Sequence, residues 1–303
     1  MDKDFSKGVA FVDGDYVPVD EARISLLDLG FLRSDANQDT VSVWRGSFFR
    51  LEDHLDRFQR NIARLRMTCP CDRGQQRQIL HRAVALTGFR EAYVQMLMTR
   101  GRLPTGSRDI RLCRNNYVVF CLPYIWIASP ERQHEGLDLA VSKIVRVPPE
   151  SVDPTIKHYH WLDFEMSLFD AYDRGADTCV LVDREGNITE GPGFNIFVVN
   201  DGRLSTPGDG VLDGITRTTV FELCAETNLD YALTKIPATE LARAEEVFLC
   251  STAGGIMPVR SVDDSPAGAG MPGPVTLRLK DLYWSKREAG WHASPVDYAL
   301  AHG

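Results

Sequence analysis

Strand-prone runs and amphipathic helices follow one another along this chain without a regular strand–helix–strand alternation. A parallel sheet built from βαβ units, open or closed into a barrel, needs that alternation, so the pattern favours an α+β architecture. Val9-Ala10-Phe11-Val12-Asp13-Gly14-Asp15-Tyr16-Val17 reads as two strands about an Asp-Gly turn. Thr40–Trp44 and Phe48–Arg50 predict a second hairpin, turning at Arg45-Gly46. From Leu51 to Met67, the residues Leu51, Leu55, Phe58, Ile62 and Leu65 recur at spacings of three and four, which predicts a helix with one apolar face. Arg73–Thr87 predicts another, stopping at Gly88 as a C-cap. Ala92–Thr99 and Tyr117–Trp126 are strand-prone, with a Gly-, Pro- and Arg-rich surface loop, Arg100–Arg108, between them. Further on, strands are expected at Leu137–Val145, Thr178–Val182, Phe194–Val199 and Glu246–Cys250. Helices are expected at about Leu162–Arg174, Thr216–Thr227 and Val275–Glu288.

At roughly 100–200 residues per domain, 303 residues suit two domains. The polar, proline-containing stretch Ser129–Glu135 separates two strand-rich blocks, which predicts domains at 1–128 and 136–303 joined by a linker at 129–135. Basic residues number 34 and acidic ones 42, a net charge of −8, which is the wrong sign for a nucleic-acid binder. No run approaches the ~20 apolar residues of a membrane span. Met1-Asp2-Lys3-Asp4 is followed by no signal-peptide core. The seven cysteines show no Cys-x-x-Cys spacing, which argues against a zinc site or a disulfide framework and suits small buried hydrophobes in a reducing cytoplasm. The expectation is a cytoplasmic protein with small-molecule partners and neither nucleic acid, membrane nor metal.

Only seven lysines are present: Lys3, Lys7, Lys143, Lys157, Lys235, Lys280 and Lys286. Chemistry that needs an amine therefore has few candidates. Lys157 follows a proline-stiffened segment, Val147-Pro148-Pro149 to Asp153-Pro154-Thr155-Ile156, and precedes His158-Tyr159-His160-Trp161. Such surroundings would desolvate an ammonium and make it a better nucleophile, although a solvated surface lysine is the more ordinary reading of the segment alone. Glu190 lies among glycines in Thr189-Glu190-Gly191-Pro192-Gly193-Phe194-Asn195, where the backbone can approach a flat group closely, although taken alone it reads as readily as an ordinary turn carboxylate. Gly210–Arg217 opens a helix whose first amides suit an anion, with Thr216 either a ligand or a mere N-cap. Cys250-Ser251-Thr252-Ala253-Gly254-Gly255 ends a strand in hydroxyls and glycines and could also take an anion.

Taken in order, these segments resemble the fold-type IV pyridoxal-phosphate enzymes, the class IV aminotransferases, from about Gly8 to Trp284. Within that group the likeness is greatest to (R)-selective amine transaminases. The residues that carry it are Glu21-Ala22-Arg23-Ile24-Ser25, Phe48-Phe49-Arg50-Leu51-Glu52-Asp53-His54, Arg146-Val147-Pro148-Pro149, Asp153-Pro154-Thr155-Ile156-Lys157, Thr189-Glu190-Gly191, Gly193-Phe194-Asn195 and Thr252-Ala253-Gly254-Gly255-Ile256-Met257-Pro258. The resemblance implies a smaller N-terminal α/β sandwich domain and a larger C-terminal β-barrel-like domain with helices. It also implies pyridoxal 5′-phosphate in the cleft between the domains, and a homodimer.

By the same resemblance, Lys157 would carry the cofactor and shuttle the proton between Cα and C4′, and Glu190 would pair with the pyridine nitrogen. Arg57 would bind the phosphate with Ile215, Thr216, Ser251 and Thr252. Arg33, Gln38, Tyr93, Arg108, Trp161 and Ala253 would face the substrate, Arg108 (with Arg102 second) as a mobile partner for a keto-acid carboxylate. Two positions depart from the pattern of the relatives: Arg33 stands where they carry histidine, and Gln38 where they carry a pocket tyrosine. Leu162 also replaces a glycine. These changes point to a more polar or acidic substrate. The expected reaction moves an amino group between an (R)-amine or D-amino acid and a keto acid such as pyruvate. The alternatives are a branched-chain or D-amino-acid aminotransferase, an aminodeoxychorismate-type lyase, or a cofactor binder without turnover.

Overall fold

A computed structural model describes residues 3–302. Among them the strands form two sheets, one in each of two compact units. The first unit holds the chain through Ile125, the short segment Ile156–Tyr159, and the chain from Gly290 onward. The second holds Trp126–Thr155 and His160–Ala289. The expected linker at 129–135 is not one. Pro130–Glu135 is a helix, started by Ser129, whose side chain accepts from the Arg132 amide, with Pro130 in the first turn. Ser-Pro is a helix start as readily as a loop, because proline costs nothing where its amide would lack an intrahelical partner.

The first unit contains β1 (Val9–Val12), β2 (Asp15–Pro18), α1 (Leu29–Arg33), β3 (Ala36–Trp44), β4 (Ser47–Phe49), α2 (Leu51–Arg64), α3 (Arg73–Thr87), β5 (Ala92–Thr99) and β6 (Asn116–Pro123). Its seven-stranded sheet runs Ala293–Pro295, β4, β3, β5, β6, β1, β2. The α2 periodicity works as expected: Leu51, Leu55, Phe58 and Ile62 are buried with Val41, Val43, Val94, Met96 and Val119 of the sheet. A capping box starts α3, Asp72 accepting from the Gln75 amide while the Gln75 side chain accepts from the Asp72 amide, and Gly88 ends it at φ +70°.

β3 starts at Ala36, earlier than the expected Thr40. Asn37, Gln38 and Asp39 have low strand propensity, but here each has hydrogen-bond partners and pairs with β5 in continuous register, from Ala36 opposite Thr99 to Val43 opposite Ala92. β4 covers only Val43 and Trp44 of β3, so the first half of β3 has an open edge on that side.

The second unit comprises α4 (Pro130–Glu135), β7 (Leu137–Val145), α5 (Leu162–Asp173), β8 (Thr178–Val182), β9 (Asn195–Asn200), β10 (Arg203–Pro207), α6 (Ile215–Thr227), β11 (Tyr231–Thr234), α7 (Ala238–Leu241), β12 (Glu246–Ser251), β13 (Gly255–Val262), β14 (Ser265–Pro266) and α8 (Pro274–Glu288). Its sheet runs β11, β10, β9, β12, β13, β7, β8, with β14 beside β13. The pairs β10–β11, β13–β7 and β7–β8 are parallel and the others antiparallel. Val198, Val247, Leu249, Met257 and Val259 form the centre of its core. Cys121, Cys179, Cys224 and Cys250 are buried, whereas Cys69, Cys71 and Cys113 are only partly so.

Candidate functional site

Lys157 belongs to the first unit because its backbone occupies the open edge of β3. The Lys157 carbonyl accepts from the Gln38 amide at 2.9 Å and from Asn37 Nδ2 at 2.9 Å, and Asn37 and His158 form an antiparallel bridge. In that register Gln38 stands opposite Lys157, so the two side chains share one face of the sheet. It is the face turned away from α2 and α3. Gln38, Thr40, Tyr93 and Gln95 lie on it too, and Gln95 Nε2 lies 2.5 Å from the Tyr159 hydroxyl. Gln95 and Tyr159 escaped the sequence reading. The period-two polar run Gln38, Thr40, Ser42 against Val41 and Val43 was the signal that marks this face.

On the opposite face, Asp39 meets two side chains of α2. Arg57 forms a two-pronged ion pair with it, Nε to Oδ2 at 2.7 Å and Nη2 to Oδ1 at 2.8 Å, and His54 Nδ1 lies 2.8 Å from Oδ1. All three residues are buried. Burial pushes the Asp39 carboxyl up, but the Arg57 charge and the hydrogen bonds from Arg57 and His54 outweigh it and hold the group below the usual carboxylate range. Burial lowers His54, which Asp39 only partly restores, so the ring is neutral and its Nδ1–H donates to Asp39. Arg57 is thus presented by a preset carboxylate and imidazole; the sequence reading quoted His54 only as the end of a motif and did not single out Asp39.

In the second unit the buried Glu190 carboxylate accepts from Arg146 Nη2 at 3.1 Å and from the Leu212 amide at 2.8 Å. Arg146 also bonds Asp163 at 2.6 Å and lies over the Phe164 ring, 4.1 Å from its centre. Trp161 meets Phe164 edge-on at 5.4 Å. The Leu212 carbonyl accepts from Asn195 Nδ2 at 2.9 Å. At Gly214, the residue before α6, a Cβ would come within 2.0 Å of Asn195 Oδ1, so a side chain there would have to displace the amide that holds the loop. Glu190 and the start of α6 are therefore fixed through one loop. α6 has no side-chain cap, and among the described residues no acceptor takes the Ile215 and Thr216 amides. Such a helix start is suited to an anion. A Cβ on Gly193, at φ +84°, would lie 3.6 Å from Ile127 and 3.7 Å from Trp161.

The remaining expected residues divide. Ser251 Oγ donates to the Gly193 carbonyl at 2.7 Å and lies 3.3 Å from the Ala253 amide, so its hydroxyl ties two glycine-rich loops together. Thr252 is half-buried, and the Ala253 carbonyl accepts from Ile127. Tyr93 stacks on Phe120 with its hydroxyl toward Gln95 and Thr40. Arg33, Arg102 and Arg108 are exposed, and among the described residues their guanidinium groups meet no partner.

Residues 38–262 match the amino-transferase class IV family. The chain is 27% identical over 275 residues to a protein of Methanocaldococcus jannaschii named a putative branched-chain-amino-acid aminotransferase, covering 90% of this chain and 94% of the relative. It is 29% identical over 287 residues to the branched-chain-amino-acid aminotransferase of Pseudomonas aeruginosa, covering 91% and 92%. It is 26% identical over 262 residues to the D-alanine aminotransferase of Bacillus licheniformis, covering 86% and 90%. Among solved structures, a crystal structure of a branched-chain amino acid aminotransferase with pyridoxamine 5′-phosphate aligns with a TM-score of 0.89 at 26% identity, over 97% of this chain and all of that one.

The chain belongs to the class IV aminotransferases, of fold type IV, and is a pyridoxal-phosphate-dependent aminotransferase. Its residues fit the cofactor. A fixed buried carboxylate, a glycine beside an indole, and an uncapped helix start would suit a ring nitrogen, a ring face and a phosphate.

Replacing Asp39 with asparagine should destabilise the protein by about 3–5 kcal/mol, because Arg57 would stay buried without its counter-charge. The native Asp39 value is depressed, so its stabilisation is complete above the unfolded value of about 3.9 and fades as pH falls toward the lower native value. Urea unfolding of both proteins should show a constant gap from pH 7 to 5 that narrows below pH ~4. A gap that widens in acid would contradict the assignment.

Proposed function

We propose that this chain moves an amino group between an (R)-amine or D-amino acid and a keto acid such as pyruvate, with Lys157 as the reacting amine and Glu190 as the partner of the ring nitrogen. The observation that carries the assignment is the Glu190 carboxylate held by Arg146 and the Leu212 amide. Each of its oxygens is held by one of these donors, and a carboxylate so fixed can keep a ring nitrogen protonated. Pyridoxal phosphate, when bound, supplies an electron sink for the charge that develops at the substrate Cα. Lys157, at the β3 edge, takes the proton from Cα and returns it at C4′. Arg57 and the amides of Ile215 and Thr216 hold the phosphate, with the Thr252 hydroxyl beside them. Trp161 and Ala253 wall the substrate side. The similarity to a D-alanine aminotransferase supports the D-configured donor. The similarity to branched-chain aminotransferases supports a second reading, an aliphatic L-amino acid as donor.

For the keto acid, Arg108 is the carboxylate partner. It is exposed, and its loop carries Gly101, Pro104 and Gly106, with both glycines at positive φ, which suits a side chain that swings. We further propose a homodimer. Leu26, Leu27, Phe31 and Leu32 around α1 are 74%, 65%, 62% and 54% exposed, a local apolar surface of the sort that interfaces cover.

Borohydride reduction of the holoenzyme should fix the cofactor to Lys157, read by peptide mapping; label on Lys143 or Lys235 would refute the assignment. Glu190→Gln should keep cofactor affinity while lowering kcat roughly 10²-fold, since the paired nitrogen matters most in the transition state. Donor half-reactions with both enantiomers of alanine, leucine and 1-phenylethylamine decide between the two readings of the donor.

Arg108→Ala should slow the pyruvate half-reaction roughly 10- to 100-fold, the worth of one charge-assisted pair, and spare the reaction with a neutral (R)-amine. Equal losses with both substrates, or a pyruvate-selective loss only in Arg33→Ala, would remove Arg108 from this role. Phe31→Glu should shift the protein from dimer to monomer in sedimentation.

A further inference from the structure

Gln38, Thr40 and Gln95 are 5%, 6% and 6% exposed although they lie on the sheet face away from the helical core. Buried polar side chains are stable only when hydrogen-bonded, and these bond chiefly to one another. Gln95 Nε2 donates to Gln38 Oε1 at 2.8 Å and to the Tyr159 hydroxyl at 2.5 Å. The Tyr93 hydroxyl donates to Gln95 Oε1 at 3.3 Å, and Thr40 Oγ1 lies 3.3 Å from that hydroxyl and 3.5 Å from Gln38 Oε1.

This set has one polar atom too many. Gln38 Nε2 has no partner among the described residues. Turning both amides end for end reverses each donor and acceptor between Gln38, Gln95 and the two tyrosines, yet leaves the same corner of Gln38 unmatched, now as an acceptor. A hydroxyl both donates and accepts, so it completes the set in either orientation. The set also carries no charge. Its members are two amides, a threonine and two phenols, and burial pushes Tyr93 and Tyr159 above the ordinary phenol value, so both stay neutral. Behind the sheet, Arg57 and Asp39 compensate each other. A carboxylate side chain therefore finds no cation among these five side chains.

We propose that the Gln38–Gln95 pair selects donors whose side chain carries an uncharged hydrogen-bonding group, a hydroxyl above all, over alkyl donors of the same size. The selection rests on the reading of Lys157 as the reacting amine, because Gln38 stands opposite it across the paired backbone. An alkyl side chain would bury the spare corner of Gln38 unmatched, and a site built to hydrogen-bond discriminates strongly against a substrate that cannot.

The test uses the holoenzyme and two isosteric pairs, serine against 2-aminobutyrate and homoserine against norvaline, each as both enantiomers. The absorbance change of the donor half-reaction gives rate and half-saturation for each. The wild type should favour the hydroxylated member of at least one pair by about 5- to 100-fold in kcat/KM. Gln38→Met should remove most of that preference by losing the hydroxylated donor and gaining the alkyl one. Gln95→Met, which takes away the group that orients Gln38, should do the same, and circular dichroism confirms that either variant is folded. A purely structural role would slow both members of a pair alike. Alkyl donors equal or better in both pairs, or a ratio unmoved in both variants, overturns the proposal alone. No absorbance change with any amine overturns the transaminase reading of Lys157 and this selection with it.

Discussion

The backbone carbonyl of Lys157 pairs the lysine-bearing segment with the sheet, accepting from the Gln38 amide and from Asn37 Nδ2. Two donors on one carbonyl use both of its lone pairs, which fixes the orientation of the peptide as well as its position. The pairing requires β4 to be short. A longer β4 would fill the β3 edge beyond Val43 and leave Lys157 no backbone partner there. It also brings Tyr159 into the polar set through Gln95. Lys157 lies far along the chain from β3, yet four residues, Ile156–Tyr159, leave the second unit to complete the first.

Two carboxylate–guanidinium pairs anchor groups assigned to the cofactor, Asp39–Arg57 in the first unit and Glu190–Arg146 in the second. Buried ion pairs add little net stability, because desolvating two charges costs about what their attraction returns. Their value lies in direction. Asp39 takes the Nε edge of Arg57 in a two-pronged grip, and Arg146 takes one oxygen of Glu190 while the Leu212 amide takes the other. On the proposed assignment the charge is used in opposite senses: in one pair the cation would be the working group, in the other the anion.

The long periodic elements were legible in the sequence. α2 and α3, β5 and β7 lie where their apolar spacing places them, because burial enforced the same periods that the sequence displays. The start of β3 was not, since Asn37, Gln38 and Asp39 carry weak strand propensity and their stabilisation comes from partners distant in the chain: Lys157, Gln95, His54 and Arg57. β11 and Ala293–Pro295 were missed for a related reason: they are short edge strands ordered by a neighbour rather than by their own pattern. In the site, Lys157, Glu190 and Arg57 stand out by residue type and motif. Asp39 and Gln95, which orient neighbouring side chains, lie in none of the quoted motifs and emerge only once the strands are paired; His54 ends a motif, but its partner Asp39 is visible only in the fold.

β3 is buried along both faces, and its two faces demand different chemistry. Asp39, Val41 and Val43 point toward the helices, whereas Gln38, Thr40 and Ser42 point away. A slip of one residue against β5 would exchange the faces. Gln38 and Thr40 would enter an apolar core without partners, Val41 and Val43 would displace the amide set, and Arg57 would lose Asp39. Each of these errors is costly alone, and all three arise together from a single slip. The polar residues of the strand therefore also hold its register, so a substitution at Gln38 acts on the same alternation that keeps Lys157 in place.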